Sequence, residues 1–291
     1  MREIADIIDK YLDIDFSESL STTIKIKQFS NVFYMDVANI YDAITRLKNK
    51  EKYKSGYGSN DAAILGLLVR TWKILKEAVF YYERNNDQML SMLDRSMIES
   101  SITAIYLMKS SSGTIEDYRK CAYKDRVRAL QESTEKHFFQ TNAGIRLVNN
   151  IKLKMDHDGF DLSSFSKQVT QKWKLDGKNF YEIFSTIENP DFYKYLYGFG
   201  SESIHGSWCE SLDHDLIRND DGTYDACPFF NQTDIRFLTP IIRVTNQAYN
   251  MWIDRIEATN EYDGYFVKVL KLVDNTNAKI FEAFDKIYSN N

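Results

Sequence analysis

Hydrophobic residues recur along most of this chain at intervals of three and four, the period of a helix with one buried face. Ile4, Ile7, Ile8 and Tyr11 predict a short opening helix. Phe29, Val32, Phe33, Val37, Ile40, Ile44 and Leu47 predict a longer second one. The segment Gly56-Tyr57-Gly58-Ser59-Asn60 breaks it and offers an N-cap. The third helix carries Ile64, Leu67, Leu68, Trp72, Leu75, Val79 and Tyr82, and Asn85-Asn86-Asp87 ends it. The fourth, from about Gln88 to Lys109, has one stripe of Leu90, Leu93, Met97, Ala104 and Met108, while Ile98, Ile102 and Tyr106 lie elsewhere round its circumference. Apolar residues on more than one side mark a helix as central in its bundle.

The pattern then shortens. Thr114 and Asp117 resemble a capping box for a helix through Tyr118, Ala122 and Leu130. Residues 132–150 read as helix with a break at 142–144, and 156–163 as a loop. Short helices are expected at about Ser164–Trp173 and Lys178–Ile187. Asn189-Pro190 is a helix start, with Phe192, Leu196 and Phe199 as apolar face and the helix running toward His205-Gly206. Residues 207–232 are the least helical, and Asn219-Asp220-Asp221-Gly222 suits the turn of a hairpin. Helical spacing returns at Leu238–Trp252 and Phe266–Ile287. The sequence thus predicts an all-α fold, a single helical bundle of about nine to eleven helices over residues 1–291, with one small β-hairpin near 214–226. The alternative is a division near 156–163.

Composition sharpens this. Only three prolines occur in 291 residues, where about fifteen would be usual, so helices can run uninterrupted. The formal net charge of −5 argues against a surface that wraps duplex DNA. Three cysteines, an odd number without a Cys-x-x-Cys, fit a reducing cytoplasm better than a disulfide scaffold. The N-terminus lacks the apolar stretch of a signal peptide, and no run is long enough to span a bilayer. The expected compartment is the cytoplasm, with no membrane association.

Two constellations carry candidate chemistry. In Tyr197-Gly198-Phe199-Gly200-Ser201-Glu202-Ser203-Ile204-His205, residues Gly198, Ser201 and His205 share one face of a helix. Two helical glycines imply close approach of another helix or a ligand, and a histidine there is a candidate acid/base. The plainer role is tight packing, with His205 ending the helix. Arg95 and Glu99 lie four apart on the fourth helix, away from its main stripe. They form either an ion pair or part of a polar site. The doublets in Asp156-His157-Asp158 and Asp213-His214-Asp215 are of the kind that holds metals in phosphohydrolases, but both fall in loop-like sequence. No cofactor motif and no metal site is expected: phosphate-loop, dinucleotide, zincin and nucleophile-elbow patterns are absent.

Leu93-Asp94-Arg95-Ser96-Met97-Ile98-Glu99 resembles the Leu-x-Arg-Ser-x-x-Glu helix of an uncharacterised bacterial helical family. Tyr197, Ser201 and His205 match that family's later Tyr-x-x-x-Ser-x-x-x-His segment. The resemblance covers roughly residues 60–260. Proteins of this type are similar to the HEPN and abortive-infection groups, which include helical ribonucleases and inactive helical partners in phage defence and toxin systems. The resemblance implies a polar cluster of Arg95, Glu99, Ser201 and His205, with Tyr197 and Gly198 beside the substrate. In the ribonuclease signature four to six residues separate an arginine from the histidine that follows it; no arginine is so placed before His205, so Arg95 would have to supply the charge. The expected functions are metal-independent cleavage of RNA, or non-catalytic binding of a partner protein or a second copy. A metal-dependent phosphohydrolase is the third.

Overall fold

The structure, a computed structural model, describes residues 2–12, 14–133, 135–165, 174–262 and 264–289. Its helices are α1 (Arg2–Leu12), α2 (Phe16–Ser19), α3 (Thr23–Thr45), α4 (Ser59–Glu83), α5 (Asp87–Lys109), α6 (Ser112–Cys121), α7 (Lys124–Glu132), α8 (Asn142–Asp158), α9 (Phe180–Phe184), α10 (Phe199–His205), α11 (Trp208–Glu210), α12 (Thr239–Arg255), α13 (Ala258–Glu261) and α14 (Tyr265–Ser289). Strands β1 (Leu216–Arg218) and β2 (Tyr224–Ala226) pair antiparallel, Ile217 opposite Asp225, as the one small hairpin that the turn residues predict. The fold is all-α.

At the centre lies α5. Between Met97 and Leu107 only Glu99 is exposed. The all-round apolar sequence has the consequence it should: α4 packs on one side, α12 on another, and α10 with α9 on a third. A buried polar network ties the long helices together. Tyr41 of α3 stacks on Tyr249 of α12 with centroids 4.0 Å apart. The Tyr249 hydroxyl donates to the Leu68 carbonyl of α4 at 2.7 Å. Asn246 accepts from Tyr41 and donates to the Leu270 carbonyl of α14, and Asn277 joins Tyr34 to the Thr239 carbonyl in the same way. Each buried polar group is thus satisfied by a different helix, which fixes helix register as well as contact.

Residues Tyr123, Val127, Leu130, Ile151, Met155, Phe160 and Phe165 form a second, smaller hydrophobic cluster beneath α7 and α8.

Several expectations need correction. Gly58 is the N-cap of α4 and provides no side-chain cap. Ser111, and not Thr114, caps α6, accepting from the Thr114 amide at 3.3 Å. The helix expected through Tyr118 and Leu130 is divided, because the chain turns at Ala122-Tyr123. The 156–163 loop begins late: α8 runs to Asp158, where Gly159 takes the left-handed conformation at φ 72°. Most of the helix expected over 164–173 falls outside the described residues. Residues 190–205 form three consecutive segments, a 3-10 turn (Pro190–Phe192), a π turn (Lys194–Gly198) and α10.

Two glycines make opposite predictions. A Cβ on Gly144 would lie 2.2 Å from the Phe138 carbonyl oxygen and 2.5 Å from the Phe139 Cα, both backbone atoms. Gly144→Ala should therefore destabilise the protein by about 1–3 kcal/mol, read as a lower midpoint in urea. A Cβ on Gly66, inside α4, would meet nothing within 4 Å. Gly66→Ala should raise stability by up to about 1 kcal/mol through helix propensity alone.

Candidate functional site

The N-terminal half of α5 emerges from the core and forms one wall of a cavity of about 600 Å3. Asp94 and Arg95 come from this wall, Gly200, Glu202 and Ser203 from α10, and Glu210 and His214 from the segment after it. Arg236 and Pro240 close the far side. The approach of α10 depends on Gly200, where a Cβ would stand 3.0 Å from the Arg95 Cβ and 3.2 Å from the Ser91 carbonyl oxygen. This is the close contact that the glycines imply.

His214 is an acid/base group of the cavity held by several contacts. Its Nδ1 lies 2.8 Å from a carboxylate oxygen of Asp87, a nearly fully buried residue in the first turn of α5. The other Asp87 oxygen accepts the Asn231 amide at 3.2 Å. The Asn231 side-chain amide, 3.1 Å from Nδ1, also donates to the Asp213 carbonyl at 2.9 Å. The shorter contact to a carboxylate assigns the Nδ1 proton to the Asp87 bond, which leaves Nε2 for chemistry. Nε2 stands 3.8 Å from Glu210 Oε2. That oxygen accepts from Ser203 at 3.1 Å, while Oε1 is buried without a hydrogen-bond partner among the described residues. A π turn (Ser211–Asp215) carries His214, and the π turn Lys194–Gly198 places Tyr195 and Leu196 on the same cavity. Such turns insert one residue into a helical path and are frequent at functional sites.

The Asp94 carboxyl has a buried oxygen, Oδ1, with no hydrogen-bond partner among the described residues. Burial raises its pKa well above the usual carboxylate range. Arg95 beside it is held from behind. Its guanidinium donates to the Tyr197 hydroxyl at 2.7 Å and lies over the Tyr197 ring, 3.9 Å from the centroid. The Tyr197 hydroxyl in turn reaches Glu99 at 3.5 Å. Burial, then the Glu99 charge, pushes the Tyr197 hydroxyl up to about 12.

The sequence-derived residues thus fall into groups. Arg95, Glu99 and Tyr197 come together, with Tyr197 between the other two. Of the six candidates Arg95, Glu99, Tyr197, Gly198, Ser201 and His205, Arg95 alone lines the cavity. Gly198 lies in the π turn against Lys194. Ser201 is half-buried with no hydrogen bond among the described residues. His205 is exposed in the last turn of α10. At 100° per residue it sits about 140° round the helix from Gly200, the position that faces Arg95. His157, in the other His-Asp doublet, is exposed at the end of α8, far along the chain from His214. Among the described residues no three His, Cys, Asp or Glu side chains are grouped so that they could hold a metal ion.

Sequence reasoning missed Asp87, Asp94, Ser203 and Glu210. One signal was available: Glu210 and His214 are four apart, like Arg95 and Glu99. Asp87 gave none, because its partner lies 127 residues away.

No helix among the described residues is long and apolar enough to cross a membrane. No curated protein and no solved structure matches the chain. A family of unknown function, DUF5677, matches residues 61–224, a span that holds all but the first two residues of α4, all of α5 and α10, His214 and most of the cavity wall. That span is more than half of the 291 residues, and the chain belongs to this family.

Proposed function

We propose that this protein is a HEPN-like ribonuclease that cleaves RNA without a metal, with His214 rather than His205 as its acid/base. The observation that carries the reading is that His214, oriented by Asp87, lines the same cavity as Arg95. Cleavage by the neighbouring ribose hydroxyl needs a base, an acid and a cation. The Glu210 carboxylate takes the 2′-hydroxyl proton as that oxygen bonds to phosphorus. The protonated His214 Nε2 gives a proton to the departing 5′-oxygen as its bond to phosphorus breaks. A 2′,3′-cyclic phosphate and a 5′-hydroxyl result. Arg95, held by Tyr197, offsets the charge on the phosphoryl oxygens. Burial disfavours the charged form of Asp94, which lessens the negative charge in the cavity and favours a carboxyl able to donate a hydrogen bond. The resemblance to helical defence ribonucleases supports the same reaction class.

One observation favours a second reading, a surface for a partner protein or a second copy. Trp208, Phe229 and Phe230 around the hairpin are 61%, 72% and 58% exposed, a concentration of apolar surface of the kind that marks interaction sites. Sedimentation velocity distinguishes it. A monomer that cleaves RNA supports the enzyme; an inactive self-associating protein, dispersed by Phe229→Ser with Phe230→Ser, supports the interaction module.

Purified protein should cleave single-stranded RNA in EDTA and leave cyclic phosphate termini. His214→Ala and Arg95→Ala should each lose at least about 100-fold in rate, and His205→Ala less than about 3-fold. Loss with His205→Ala but not with His214→Ala would overturn the assignment. Tyr197→Phe removes the hydroxyl that holds Arg95 but keeps the ring. It should lower the rate about 10-fold and stability by about 1 kcal/mol, measured by initial rates and urea unfolding.

Asp94 generates a pH prediction. Its pKa is raised on folding, so its contribution to stability is full below the unfolded carboxylate pKa and is lost as pH rises toward the folded value. Asp94→Asn should remove that loss. Its melting temperature should exceed that of the wild type by more at pH 8 than at pH 4.

A further inference from the structure

We propose that a second pocket, between the N-terminal half of α4 and helices α6 and α7, binds the phosphates of a nucleotide-sized phosphoester. This site is independent of the cavity at His214. Its volume is about 530 Å3, within the range of small-ligand sites. Arg70, Arg119 and Arg126 line it against a single carboxylate, Asp158.

The three arginines play different parts. Arg119 is fixed: its guanidinium donates to Asp158 Oδ1 at 2.8 Å, to the Asp158 carbonyl at 3.1 Å and to Asn60 Oδ1 at 3.3 Å. Asp158 is further occupied by the Tyr123 hydroxyl at 2.5 Å, so the one acid of the pocket is already engaged. Arg126 donates to the Ala122 carbonyl from one guanidinium nitrogen. Arg70 makes no hydrogen bond and no ion pair to any described residue. It stands close enough to Tyr118 to oppose the rise in that hydroxyl's pKa, which burial and Glu99 cause. An arginine without a protein partner, beside two others, leaves donors for an incoming phosphate.

The start of α4 adds a second, separate feature. Ser59, Ala62 and Ala63 line the pocket, and the N-cap Gly58 gives the leading N–H groups no side-chain acceptor. The first-turn acid, Asp61, is turned to Arg255 and Tyr53. The positive end of a 25-residue helix therefore borders the same space as the arginines. Gly66 borders that open space, where a Cβ would meet nothing within 4 Å. A glycine in mid-helix costs stability that alanine would not, and at this position no packing contact explains it. Tyr57, Tyr118 and Tyr123 complete the wall with aromatic surface suited to a base.

The test is calorimetric titration of the full chain at low salt with adenosine diphosphate, inorganic pyrophosphate and adenosine. Saturable binding of the diphosphate, weaker binding of pyrophosphate and none of adenosine are expected. Arg70→Gln and Gly66→Leu should each weaken diphosphate binding at least 10-fold while thermal unfolding stays cooperative. Asp87→Asn, at the other cavity, should leave it within 2-fold. No heat from either phosphate compound would overturn the proposal. Equal binding of adenosine and the diphosphate would do so as well, as would undiminished binding in both pocket variants.

Discussion

The constraint on which the rest depends is the double character of α5. Its C-terminal half is surrounded by other helices and cannot move without breaking the core. Its N-terminal half continues the same rigid rod as one wall of the cavity and carries Asp87, Asp94 and Arg95 at fixed positions. A site built on a helix so anchored inherits the precision of the core, which a site built on loops does not. The buried tyrosine–asparagine network holds the α3, α4, α12 and α14 framework in register around that rod. Apolar contacts alone would let the helices slide, whereas each of those hydrogen bonds is made at one register.

The opposite wall is less regular and is held by short polar straps. Thr233 donates to the Tyr82 carbonyl at the end of α4, and its amide donates to Asn85 in the turn before α5. Lys27 of α3 reaches both Asn85 and Thr233. The segment after the hairpin is thereby tied to the start of α5, where Asp87 holds His214. Gln88, next to Asp87, bonds to Asp215 at 2.9 Å, so two successive residues of α5 grip two successive residues of the π turn.

Much of the fold was legible because helical periodicity is a local property. The central place of α5 follows from Ile98, Ile102 and Tyr106 alone, and the hairpin from Asn219 to Gly222. The finer divisions were not legible. Nothing local announces that residues 190–205 pass through three kinds of helical turn, since the backbone there answers to packing against α5. At the site, Arg95, Glu99 and Tyr197 do meet, a grouping that the family resemblance implied and that no spacing along the chain could give. The partnership of Asp87 with His214 could not be read, because it is made by tertiary folding between residues with no shared pattern. His205 shows the limit of spacing: Gly198, Ser201 and His205 do fall on one side of the helix, but that side is turned about 100–160° from Gly200, the position that meets α5.

The two π turns have a consequence for how this cavity can change over evolutionary time. A π turn is an α-helix that has accommodated one extra residue, and the residues beyond it are rotated by about 100° from the phase they would otherwise hold. Loss of a single codon inside 194–198 or 211–215, at a position other than Tyr197 or His214, would let the path relax to ordinary α-helix and swing Tyr197 or His214 off its partner while the site side chains themselves were kept. Insertion and deletion, rather than substitution, are thus the economical route by which such a cavity is gained or silenced. Two relatives with the same site residues, differing by one residue of length in a π turn, would then differ in having the cavity at all.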